Sequence, residues 1–189
     1  MGPAGWRALE GALASVEPGR VLVLSSVPAL GPRLSLVERL MHLTPHMETY
    51  EDDLRDQWQS RAHRAEWRAF LERLAAVHAN PATPVTVLSG EIHLATRGTL
   101  AVPPAPLHQL VSSGVAHPLP TPLYPRVLGW LARLGESPLP GHPIRLHPLP
   151  GRRAIYTAER NFLVLERRCG AWTAAWELED SGRTPLLPI

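Results

Sequence analysis

The sequence contains no lysine. All 19 basic residues are arginine, set against 17 acids, for a formal charge of +2 at neutral pH. The basic isoelectric point therefore reflects arginine's very high pKa rather than a surplus of positive charge. No block of five or six like charges occurs, and Arg152-Arg153 and Arg167-Arg168 read as solvated strand ends, so no nucleic-acid partner is indicated. A single cysteine, Cys169, excludes an internal disulfide, and its setting RRCGAW reads as a turn between two strands rather than a reactive thiol. The first residues, MGPAGWRALEGALASVEPG, lack the charged and continuous apolar regions of a secretory signal. No run approaches the ~20 apolar residues that span a bilayer. As it stands the chain reads as cytoplasmic, with no membrane partner. Also missing are G-x-S-x-G, a phosphate-cradling glycine loop and H-E-x-x-H, the usual markers of serine hydrolases, P-loop nucleotide binders and zincins.

What is present suffices for one domain with a real core: 189 residues, 44% hydrophobic and 19% charged. Trp6, Leu9, Leu13 and Val16 predict a short amphipathic helix closed by Pro18-Gly19. RVLVLSSVP (20–28) is apolar on both alternating faces, as expected of a strand covered on two sides. Leu36, Val37, Leu40 and Met41 suggest a helical turn or two before Pro45, and a dense polar and aromatic stretch, YEDDLRDQW (50–58), follows. The clearest helix carries Trp67, Phe70, Leu71, Leu74 and Val77 on one face and stops at Asn80-Pro81. PVTVLSG (84–90) and LHQLVSSGVAHP (107–118) read as further strands.

The 21 prolines crowd into the second half, so residues 118–150 read as a proline-rich connection with one helix over 124–134. RAIYTAERNFLVLERR and GAWTAAWELE alternate apolar and polar residues as an antiparallel hairpin. The expectation is a single α/β (α+β) unit: a helix and strand core over 1–117, the connection, and C-terminal β-strands over 151–189.

Two groups of residues could carry chemistry. In an extended chain positions i and i+2 share a side, so Glu91 and His93, in LSGEIHLA just past a strand, could present a carboxylate and an imidazole to one metal ion. Such an ion needs two to four further ligands. Alone, the pair reads better as a solvated strand terminus. Glu51, Asp52, Asp53 and Asp56 supply enough oxygen for a cation, although acids at a helix N-terminus serve the dipole equally well. Trp58 should pin that stretch to the core. The other eight histidines show no ligand spacing and read as surface or capping residues, with His117 of some interest beyond a buried strand.

Three stretches taken together, YEDDLRDQWQSRAHRAEWRAFLERL, PVTVLSGEIHLATRG and QLVSSGVAHP, resemble in order and spacing the second half of the PhoD-like alkaline phosphatases, a branch of the calcineurin-like metallophosphoesterases. RVLVLSSVP and AERNFLVLE resemble segments of that family as well. SGEIH matches a block that usually reads S-G-D-x-H. The resemblance implies metal-ligand roles for Glu91 and His93 at a two-metal centre of divalent or trivalent ions, with Asp52, Asp53 and Asp56 as supporting acids. It implies a phosphate ester substrate and an αββα sandwich, here partial, with its site on loops beyond strand ends. Glu91 departs from the usual aspartate by one methylene. The aspartate-bearing motifs of the family's first half have no match, so the chain is expected to be the C-terminal part of a phosphatase, inactive alone and able to pair with an N-terminal half. The alternative is a non-catalytic homologue that binds or scaffolds.

Overall fold

Proline in the first turn and apolar residues at helical spacing begin α1, Pro3–Ala14, whose Trp6, Leu9 and Leu13 lie partly buried against the core. A computed structural model of the chain describes residues 1–32, 58–90, 92–116 and 123–189. The helical turn expected around residues 36–41, the acids Glu51, Asp52, Asp53 and Asp56, and also Glu91 and His117 lie outside the described residues. After α1 come β1, Val21–Ser25, a 3-10 turn at Arg61–His63, and α2, Arg64–His78. Strands β2, Val85–Ser89, β3, Thr96–Leu100, and β4, Leu107–Val111, precede α3, Leu123–Ala132. The chain then forms β5, Glu136–Leu139, β6, His142–His147, β7, Asn161–Arg168, β8, Ala171–Leu178, and two short strands, β9, Gly182–Arg183, and β10, Leu187–Pro188.

The fold is of the mixed α+β class, with two sheets. One is six-stranded in the order β1-β2-β4-β3-β6-β5; β1, β2 and β4 are parallel and the rest antiparallel. The other pairs β10, β8 and β7, with β9 on β8. Strand alternation gives the larger sheet two different faces. Val85, Val87, Leu100, Leu107 and Ile144 face Trp67, Phe70, Leu71 and Leu74 of α2. Each such fully buried side chain is worth roughly 1.5–3 kcal/mol. Trp58 stacks on Phe70 at 5.0 Å between ring centres, as its size leads one to expect. On the opposite face Leu88 and Leu110 pack with Ala174, Trp176 and Leu178 of the smaller sheet, and the Trp176 indole donates to the Val111 carbonyl at 2.9 Å.

Polar side chains fix the segment that follows β1. The amide of Gln109 accepts from the Leu30 N–H and donates to the Leu30 carbonyl, both at 2.6 Å, while the Trp67 indole donates to Ala29 O and Gln59 to Pro28 O. His78 closes α2 by accepting the Val85 N–H at Nδ1, so its Nε2 carries the proton that reaches Ala105 O at 2.9 Å. This histidine is a buried staple between helix and sheet rather than the surface or capping residue expected.

Three other expectations change. β1 is not covered on two sides: it pairs only with β2 among the described residues, none of its residues is fully buried, and Leu24 is 80% exposed because the smaller sheet reaches no further than Leu88. The third strand stops at Val111, and Thr96–Leu100, not anticipated, inserts antiparallel between it and β6. The proline-rich connection contributes α3 and the hairpin β5–β6 to the main sheet. Its prolines are tolerated because Pro138 lies on the edge strand and Pro143 still uses its carbonyl, which accepts from Ala101 N–H at 3.1 Å. The C-terminal hairpin forms as expected, with Cys169 (φ 49°) and Gly170 (φ 83°) in its turn.

Candidate metal centre at the strand tips

Three parallel strands end side by side. β1 runs out at Ser25-Ser26, β2 at Ser89-Gly90 and β4 at Val111-Ser112-Ser113, with the in-register pairs Ser25↔Ser89 and Ser89↔Val111. Backbone bonds hold the tips together: Gly90 N–H donates to Ser26 O at 3.3 Å and Ser112 N–H to Ser89 O at 3.0 Å. In open sheets the carboxyl ends of parallel strands form the crevice where ligands sit.

His93 lies four residues beyond the end of β2, on this edge, and is exposed. Its loop is pinned from both sides. The Ile92 N–H folds back onto Gly90 O at 3.0 Å, and Ile92 leans on a small core that includes Leu94, Leu128 and Tyr156. Leu94 and Ala95 are fully buried, Ala95 exchanges two 2.9 Å backbone bonds with Thr157, and the Thr96 hydroxyl donates to Ile155 O at 2.8 Å. Between these anchors His93 adopts φ 55°, a left-handed conformation costing about 1–2 kcal/mol for a non-glycine residue. Backbone strain of this kind collects where a side chain must be aimed.

That φ departs from the extended conformation on which the alternation argument rests. Strand pairing ends at Ser89 and residues 92–94 are bent, so the rule that sets positions 91 and 93 on one side of an extended chain does not carry past Ser89.

The neighbouring tip of β4 is tied to the smaller sheet. Asn161 accepts from the Ser112 hydroxyl and the Ser113 N–H at 3.2 Å, and its amide donates to Ser113 Oγ and to Glu159 O. Glu159 is the acid close in sequence to this junction, yet it faces elsewhere. Burial works against its charged form, but hydrogen bonds from the Ser181 hydroxyl and backbone, the Arg152 guanidinium at 3.0 Å and the Asp180 N–H outweigh it and hold its pKa below the usual carboxylate range. Its role is to fix the turn after β8. The Ser89 hydroxyl, by contrast, is buried at the strand tip without a hydrogen-bond partner among the described residues.

Among the described residues no group of three or more His, Cys, Asp or Glu is placed to hold a metal ion. Of the five expected site residues the structure thus places one, His93, while Glu91, Asp52, Asp53 and Asp56 fall outside the described residues. No helix among the described residues is long and apolar enough to cross a membrane. Compared with known proteins, the sequence matches no protein-family model, and no curated protein or solved structure matches it.

Proposed function

We propose that this chain is the C-terminal portion of a PhoD-like metal-dependent phosphatase or phosphodiesterase, in which His93 and Glu91 contribute to a two-metal centre and Asp52, Asp53 and Asp56 support it. The observation that carries the reading is the position of His93: an exposed imidazole on a strained, firmly anchored loop beyond the tip of a parallel strand. The order and spacing of the stretches around SGEIH support it, as does a main sheet with helices on one face and a second sheet on the other.

In complete enzymes of this kind the ions supply Lewis-acid activation of a phosphoryl oxygen and of water. The described residues do not by themselves fit that requirement. Ions that take four to six ligands each cannot be held by one histidine and one glutamate. What the described residues provide is one nitrogen donor, His93, on the loop beyond the tip of β2. The 189 residues alone are accordingly inactive in this reading.

Metal analysis of the purified chain, paired with hydrolysis of chromogenic phosphate mono- and diesters, tests this. The expected outcome is weak metal binding, below two ions per chain, without turnover. Two tightly held ions with turnover would overturn the inactivity, and complete indifference to divalent and trivalent ions would overturn the metal role.

A second reading, a non-catalytic homologue that binds or scaffolds, draws on a different observation. Leu123, Val127, Trp130 and Leu134 form an exposed apolar row along α3 and the turn after it, and Leu24 is exposed on β1. Contiguous apolar surface of this kind marks an interaction face. In-frame coding sequence upstream of Met1 bearing the missing aspartate motifs would favour the phosphatase, and a stop codon with a ribosome site would favour the scaffold.

A further inference from the structure

The face of the main sheet that meets the smaller sheet is not apolar along its whole length. One row beyond Leu88 and Leu110, toward the start of the parallel strands, Thr86, His108 and Thr99 lie opposite one another on β2, β4 and β3. Arg97 and His147 are paired on β3 and β6, so these side chains occupy one face of adjacent strands about 4.8 Å apart. Arg20, just before β1, donates from Nη1 to the Thr86 hydroxyl at 2.7 Å. Thr99 Oγ1 meets His147 Nε2 at 2.8 Å, and Arg97 Nε donates to Pro148 O at 2.7 Å. Arg20, Arg97, Thr99, His108 and His147 are all half-buried.

The electrostatics are one-sided. The titratable groups that act on His108 are Arg97, Arg20, His78 and His147, with no carboxylate among them. Arg20 and Arg97 take part in none of the ion pairs among the described residues, and Arg20 Nε is buried without a partner there. Half-buried guanidiniums of like charge, with no counter-charge, are unusual in a native fold, where buried charges are paired. An anion seated between them would supply the counter-charge that the described residues do not.

We propose that this cluster is an anion-binding site for a small phosphate-bearing molecule, with Arg20 and Arg97 as the charged donors and His108 as a neutral donor between them. Burial and the neighbouring arginines bring the His108 pKa down to about 4, so at neutral pH the positive charge rests on the guanidiniums, which grip phosphate oxygens with directional N–H groups. Thr86 and His108 lie three residue steps, about 10 Å of extended chain, from Ser89 and Val111 at the strand tips, and Arg97, one step from the tip row, shares their sheet face. The site does not rest on the metal reading.

The test is a titration of the chelator-treated chain with inorganic phosphate, and in a second arm with phenyl phosphate, following the imidazole signals of each histidine by NMR. The His108 and His147 signals should move together to saturation while those of His63 and His93 stay in place, and the His108 pKa should rise as the anion favours its protonated form. Arg20→Gln and Arg97→Gln should each weaken the midpoint by about tenfold, and His93→Ala should leave it unchanged. A tighter phenyl phosphate midpoint would identify an ester as the ligand, a tighter phosphate midpoint the free ion. Shifts reproduced by equal ionic strength of chloride, or no saturable shift in the wild-type chain, would overturn the proposal while leaving the metal reading untouched. Stronger binding of an oligonucleotide than of phosphate would also overturn it.

Discussion

At the residue scale the histidines divide by environment, not by spacing. His78 is a buried staple whose two nitrogens are both used by backbone groups, His93 is exposed on a strained loop, and His108 and His147 share a half-buried basic sheet face. His108 makes stability depend on pH. Its pKa falls from 6.5 to about 4 on folding, through burial first and the charges of Arg97 and Arg20 next. Between those values the unfolded chain binds the proton more readily than the folded one, so stability rises with pH across that window and is lost as pH falls from 6.5 toward 4. Allowing for partial solvation, the loss is about 1–2 kcal/mol. Urea denaturation from pH 7 down to pH 4 should show this slope in the wild type and a shallower one in His108→Gln; identical slopes would remove the assignment. Sequence reading did not find this cluster, although a signal was there: Thr86, Arg97, Thr99 and His108 interrupt otherwise apolar strand faces with hydrogen-bonding groups.

At the element scale, legibility followed how local the determinant was. α2 and the β7–β8 hairpin rest on periodicity within a few residues, and both form where their patterns place them. β3, with the sequence TRGTL, has little apolar content of its own and becomes a strand because β4 and β6 flank it. Gly98 lets it do so: a Cβ there would meet the Leu146 side chain at 2.9 Å. β5 and β6 were hidden by their prolines, Pro138 accepted on the edge strand β5 and Pro143 near the start of β6, where its carbonyl still accepts from Ala101 N–H. The turn of the C-terminal hairpin offers a direct check. With positive φ at both Cys169 and Gly170 it calls for Asn-Gly, so Cys169→Asn should raise stability by about 0.5–1 kcal/mol, and Gly170→Ala should lower it by a similar amount or more. A chemical-denaturation midpoint unchanged in both variants would contradict that account of the turn.

At the scale of the whole molecule, three parallel strands converge on one edge of the main sheet, helices and a second sheet brace its two faces, and the loop bearing His93 rises from that edge. The fold class and the strand preceding SGEIH were readable from the chain. The left-handed φ of His93 was not, because strand alternation says nothing of a loop beyond the last paired residue, Ser89. What matters most is whether the imidazole of His93 meets metal ions as a site residue or merely as an exposed one. Titration of the chain with Mn(II), followed by the line widths of each histidine imidazole, asks this directly. The prediction is that the His93 signal broadens first, ahead of those of His63 and His142, and that His93→Ala removes the first binding event. Broadening of His93 no earlier than His63 and His142, or a first event that survives His93→Ala, would contradict it.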